Sequence, residues 1–279
     1  MTPPNGSLRQ KTSFFYAFFL LPREKRRALE CLYRFCWAAD ELSDNNDPLE
    51  LKKKNLVEFK KKLTRCFEGK SKDPLFKNLV ETFQRFHLSK NPLLKILEGV
   101  GRDLRPLRFK TFGELHRYCL QVAGGPGLAS MEILGFKDKS HRAYAENLGV
   151  FLQLINMTRD YREDLSLNRQ YFPAEDFKKF HLIPGAGGET KPQWSSFVEF
   201  QLDRAWLFWI RAKRALTRRQ RSELATAEAI AAVYVKLFKK LKKNPQKILQ
   251  GKISLSRWDK ILSVAGAACR CFFWRWADG

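Results

Sequence analysis

Residues 147–173 read NLGVFLQLINMTRDYREDLSLNRQYFP. Up to Leu165 the apolar residues recur at the three- and four-residue spacing of a helix face, which predicts one long helix from about Ser140 to Leu165. Within it Gln153, Asn156, Asp160 and Asp164 follow the same spacing and form a polar row beside the apolar Leu152, Leu154, Ile155 and Met157. A polar row on an otherwise apolar helix must face water, a partner or a site, because such groups are not buried unpaired.

Working outward, the same acidic spacing occurs once more. Asp40 and Asp44 lie near the end of a helix predicted from about Arg23 to Leu42 and closed by Asn45, Asn46, Asp47 and Pro48. If the two helices face each other, four carboxylates and the Asn156 amide oxygen converge, more negative charge than can be buried without cations. Hard oxygen ligands suit Mg²⁺, with Mn²⁺ as a substitute. Because Mg²⁺ takes one or two protein carboxylates together with water and phosphate oxygens, the natural cargo is a diphosphate bridged by metal. The simpler alternative is that RDYRED is an exposed helix laced by an Arg159–Glu163 pair, and that Asp40 to Asp44 is the polar end of a helix before its turn.

Helical spacing dominates the remainder. Helices are predicted near 13–21, 49–67, 74–86, 92–101 and 112–123, the last broken by Gly124, Gly125, Pro126 and Gly127. After the extended NRQYFP and a Gly-rich loop near 184–192 come helices near 194–216, 222–243 and 255–274. No series of alternating strands and no fixed-period repeat is present, so the reading is an all-α single domain over 1–279.

Composition fits a globular protein with a large core: 44% of residues are apolar and 23 are Phe. Fifty-two Lys and Arg against 29 acids give +23, which implies an anionic partner: nucleic acid, a membrane face or a diphosphate. The basic stretches at 52–62, 211–221 and 236–243 are interrupted by apolar residues at helical spacing. They are therefore solvated helix faces first and membrane contacts second. Single-strand nucleic-acid binders place exposed aromatics among basic residues, whereas most Phe here follow core stripes, so no nucleic-acid partner is expected. The six cysteines form no CxxC pair and read as reduced core residues. The apolar run Phe14 to Leu21 is too short to span a bilayer and ends at Pro22, so the expected location is cytoplasmic, with peripheral contact at the anionic inner face of the membrane.

Three stretches carry a resemblance: SFFYAFFLLPREKRRALECLYRFCWAADELSD (13–44), YCLQVAGGPG (118–127) and NLGVFLQLINMTRDYREDLSLNRQYFP. In this order they resemble the motifs of the squalene/phytoene synthase family, the head-to-head trans-prenyltransferases. Among its members the chain looks most like bacterial presqualene diphosphate synthases. The resemblance implies an isoprenoid synthase-type helical bundle with a central hydrophobic cavity for two prenyl diphosphates. By match of motif it assigns Asp40, Asp44, Asn156, Asp160 and Asp164 to Mg²⁺, with Asp40 and Asp160 in the catalytic set. Gln153 is placed beside them. Arg159, Arg169 and Tyr171 are assigned to the diphosphates, and Tyr118 to proton handling or to steadying the cationic intermediates. Ser13, Phe14 and Tyr33 belong to the expected substrate wall, where the aromatic rings either face an allylic cation or simply pack.

Three departures are visible. Trp37 stands where the family has Arg, Glu41 where it has a second Asp, and Pro126 where it has a small apolar residue. The implied reaction joins two farnesyl diphosphates to presqualene diphosphate with no need of NADPH. The alternatives are phytoene or dehydrosqualene synthesis, or a non-catalytic basic protein on anionic membranes. Oligomeric state is not legible.

Overall fold

The computed structural model describes residues 14–71, 73–184, 192–249, 251 and 253–277. The chain forms α1 (Phe14–Phe18), α2 (Arg23–Asp44), α3 (Leu49–Phe67), α4 (Pro74–Phe86), α5 (Lys90–Asp103) and α6 (Phe112–Cys119). A π-turn (Leu120–Gly124) leads into α7 (Gly125–Leu134). Then follow α8 (Lys139–Arg159), α9 (Tyr161–Ser166), α10 (Ala174–Lys179), α11 (Gln193–Ala215), α12 (Arg218–Glu223), α13 (Ala225–Lys243) and α14 (Arg257–Ala277). The all-α expectation holds. Among the described residues the sheet is one parallel bridge, β1 (Leu107–Arg108) on β2 (Arg169–Gln170), which ties the segment after α5 to the segment after α9.

Local chemistry sets the helix starts. The Asp73 carboxylate accepts from Leu75 N with Pro74 at the first helical position, and Asp138 accepts from the backbone of Ser140 and His141. Thr217 and Gln220 form a reciprocal capping box at α12. The centre of the bundle is α8, whose Val150, Phe151, Leu154 and Ile155 are fully buried between α11 and the α6–α7 region. One ion cluster sits inside this core. Glu228, 2% exposed, accepts from Tyr144 Oη at 2.8 Å and from both Arg221 Nε and Nη2 at 2.9 and 2.6 Å.

Two sequence expectations need correction. The glycines at 124–127 do not break the helix, because the chain passes through them as the π-turn and α7. Their role is close approach: a Cβ on Gly125 would lie 2.7 Å from the Pro92 carbonyl oxygen, and one on Gly149 would lie 2.9 Å from that of Ala123. The long helix, in turn, does not run unbroken to Leu165. It kinks at Asp160 (φ −98°, ψ 8°), which ends α8 and opens α9. The hydrogen bonds Asp160 N to Asn156 O and Asp164 N to Asp160 O keep the chain in register across the kink. All six cysteines are free, with four buried, Cys36 half-buried and Cys269 exposed.

Candidate active site

The acidic residues lie in two clusters. The first gathers the C-terminal end of α2, the end of α5, α6 and the β2 segment. Arg169 Nη2 bonds Asp44 Oδ1 at 2.6 Å, closing a gap of 125 residues along the chain. Asp40 stands one turn earlier on α2. Water reaches Asp40, yet the surrounding protein raises its pKa to about 7, with the repulsion of Asp44 and Asp103 adding to burial and Arg169 opposing them.

Asp103 was not foreseen. It lies at the C-terminus of α5, and Tyr118 Oη donates to its Oδ1 at 2.6 Å. Burial raises its pKa to about 7 as well, against the Tyr118 hydrogen bond and the Arg169 charge, which lower it. The sequence did carry a signal: Asp103 continues the stripe of Leu93, Ile96, Leu97 and Val100, all buried.

Tyr118 and Tyr171 are buried, with ring centroids 5.7 Å apart, and burial pushes both phenols up. Asp103 and Asp164 both add to the rise at Tyr171, so this ring links the two acidic clusters.

The second cluster surrounds the α8–α9 kink. Arg159 grips Asp160 through Nε at 2.8 Å and through Nη2. Asn156 Oδ1 accepts from Tyr234 Oη at 3.1 Å. Tyr234 is buried on α13, and its hydroxyl faces this cluster. Lys260 of α14 adds a cation, its pKa lowered by burial and by the Arg159 and Arg257 guanidiniums. A cleft of about 280 Å³ opens here, lined by Arg159, Asp160, Arg162 and Glu163 among others.

Gln153 is half-buried on the same side of α8, and Tyr33 is half-buried one face-repeat before Asp40 on α2. Phe14 opens α1, and Ser13 lies outside the described residues. Trp37 lines a groove of about 1320 Å³ between α2 and α4, together with Arg34, Glu30 and Asn78, and Asp40, Asp44, Asp103, Asp160 and Asp164 do not belong to it.

Among the described residues no three His, Cys, Asp or Glu side chains close round a point tightly enough to cage an ion by themselves. The donor set is all oxygen, spread over Asp40, Asp44 and Asp103 in the first cluster and Asp160 and Asp164 in the second. Burial raises both Asp40 and Asp103, and the like charge of Asp44 adds to it while Arg169 opposes it. Such a set fits a hard cation that takes its remaining ligands from water and phosphate.

The squalene/phytoene synthase family model matches residues 8–259. The chain belongs to this family. Members join two prenyl diphosphates head to head, which makes this chain a prenyltransferase. It is 28% identical over 276 residues to a 15-cis-phytoene synthase of Synechococcus elongatus, covering 94% of this chain and 90% of that one. A 15-cis-phytoene synthase of Synechocystis sp. is 32% identical over 218 residues, 73% of this chain and 65% of the relative. Its fold is similar to a crystal structure of a dehydrosqualene synthase, with a TM-score of 0.79 at 23% identity over 94% of this chain and 92% of that one. A squalene synthase from Alicyclobacillus acidocaldarius gives 0.73 at 22% identity over 86% and 90%.

Proposed function

We propose that this family member condenses two farnesyl diphosphates to presqualene diphosphate, with Mg²⁺ held between its two acidic walls and without NADPH. The observation that supports the reading is the gathering of Asp40, Asp44 and Asp103 about Arg169, with buried Tyr171 feeling both Asp103 and Asp164. Bound Mg²⁺ would supply the Lewis acidity that lets a diphosphate leave. Asp40, Asp44, Asp160, Asp164 and Asn156 would hold it. Arg169 and Arg159, each now paired with a carboxylate, are placed to exchange that partner for phosphate oxygens, which a guanidinium binds equally well.

In the reaction the allylic C1–O bond of one substrate breaks and pyrophosphate departs. The C2=C3 double bond of the second substrate attacks the freed C1, and loss of one proton from that carbon closes the cyclopropane. Pyrophosphate or a group near Tyr118 takes the proton. Tyr118 itself stays a neutral phenol, since burial and the neighbouring Asp103 disfavour its ionisation, so its role is to orient Asp103 and to present its ring face.

A second reading is phytoene synthesis from two C20 diphosphates; the naming of the sequence relatives favours it. Incubating the protein with Mg²⁺ and either farnesyl or geranylgeranyl diphosphate, with and without NADPH, separates the two by product mass. Presqualene diphosphate from the C15 substrate alone is expected; phytoene from the C20 substrate replaces that reading with the second. Asp160→Ala should end Mg²⁺-dependent pyrophosphate release with helicity intact, and release undiminished in that variant would remove Asp160 from the metal set.

A further inference from the structure

α14 packs Val264, Ala267 and Cys271 inward, with α13 and α12 as its main neighbours. Its opposite face is apolar and open to solvent. Trp258 is 72% exposed, Leu262 63%, Phe273 64% and Trp276 81%, and between them Ala265, Gly266 and Cys269 are exposed too. These positions share one stripe at helical spacing, about 27 Å from the first Trp to the last at the usual rise per residue. No charge interrupts it. Arg257 and Arg270 flank it, and the nearby acid, Asp259, is held by Lys236 at 2.7 Å. α14 also touches α1, and the residues just after α1, Phe19 and Leu20, are exposed as well.

Soluble proteins seldom leave so continuous an apolar strip in water. A second copy seated on it would bring Arg257 and Arg270 of both copies together in a chain that already carries +23. An anionic bilayer instead attracts those arginines, and its headgroup zone is where Trp and Phe gain most. None of the described helices is long and apolar enough to cross a membrane, so the fit is to lying on the surface.

We propose that the outer face of α14 docks this protein on anionic membranes, with Trp258, Leu262, Phe273 and Trp276 entering the interface and Arg257 and Arg270 at headgroup level. This docking is independent of which product the enzyme makes.

The full chain is sedimented with phosphatidylcholine vesicles and with vesicles of equal parts phosphatidylcholine and phosphatidylglycerol. Binding to the second kind only is expected, weakened by salt and by Arg270→Glu. The double variant Phe273→Ser/Trp276→Ser should bind at least about tenfold more weakly, whereas Leu207→Ser, at an exposed apolar residue on α11, should bind as the parent does. Binding of the double variant within about twofold of the parent overturns the proposal. So does a parent dimer on size-exclusion that the double variant abolishes without any vesicle binding, since the face then pairs two copies. Pyrophosphate release from detergent-dispersed substrate, measured alongside, confirms folding and reports on the catalytic reading separately.

Discussion

Tyr118→Phe isolates a single hydrogen bond at the centre of the site. In the parent, the Tyr118 hydroxyl donates to Asp103 at 2.6 Å from a position that water does not reach. A hydrogen bond to a charged group contributes about 1.5–3 kcal/mol, and one pKa unit corresponds to about 1.4 kcal/mol. Removing the donor leaves the ring and its packing in place but withdraws stabilisation from the ionised carboxylate alone. The Asp103 pKa, already raised to about 7, should therefore climb by about one to two units. At neutral pH the group then changes from half-ionised to mostly protonated. A carboxyl ¹³C titration of the metal-free protein reads this directly, and the acidic limb of the kcat/KM profile for pyrophosphate release should move to higher pH by a similar interval. An Asp103 midpoint unchanged to within a few tenths of a unit would refute the role given to this bond. A fall in rate without that movement would mean that Tyr118 acts only through its ring.

Gly149→Ala should lower the melting temperature, because its Cβ would sit 2.9 Å from the Ala123 oxygen and 3.0 Å from the Ala123 carbonyl carbon, backbone that cannot swing aside. Overpacking of this kind costs about 1–3 kcal/mol, a drop of several degrees in a calorimetric scan. Glu228→Ala strands the Arg221 guanidinium and the Tyr144 hydroxyl in the core and should cost about 3–5 kcal/mol by denaturant unfolding. For pH, Asp40 and Asp103 are raised above the ordinary value of 3.8, so the folded chain binds more protons than the unfolded one between about 4 and about 7. Metal-free protein should thus lose stability as pH rises through that window, and Asp103→Asn, compared by thermal melts in chelator, should show a flatter dependence.

The sequence made the acidic helices legible because their chemistry is local. Asp40 with Asp44 and Asp160 with Asp164 announce themselves by spacing within one element, and the polar row on α8 contrasts with its neighbours. Asp103 and Tyr234 have no such partner in sequence. Each acquires its meaning only when another element brings a hydroxyl or an amide to it, Tyr118 from α6 and Asn156 from α8. The glycines at 124–127 misled for a related reason. Glycine serves both to turn the chain and to let two backbones approach, and only the position of Pro92 across the interface shows which applies. The kink at Asp160 was hidden because the apolar spacing continues through it.

The short bridge between Leu107–Arg108 and Arg169–Gln170 acts as a snap fastener between two distant stretches of chain. One stretch follows directly on Asp103, and the other leads into Tyr171. Because they are buttoned together, neither bank of carboxylates can drift without towing its counterpart. Grip on a departing anion is therefore expected to be gained or lost by both sides at once, and loosening this fastener should blur the site while leaving the bundle standing.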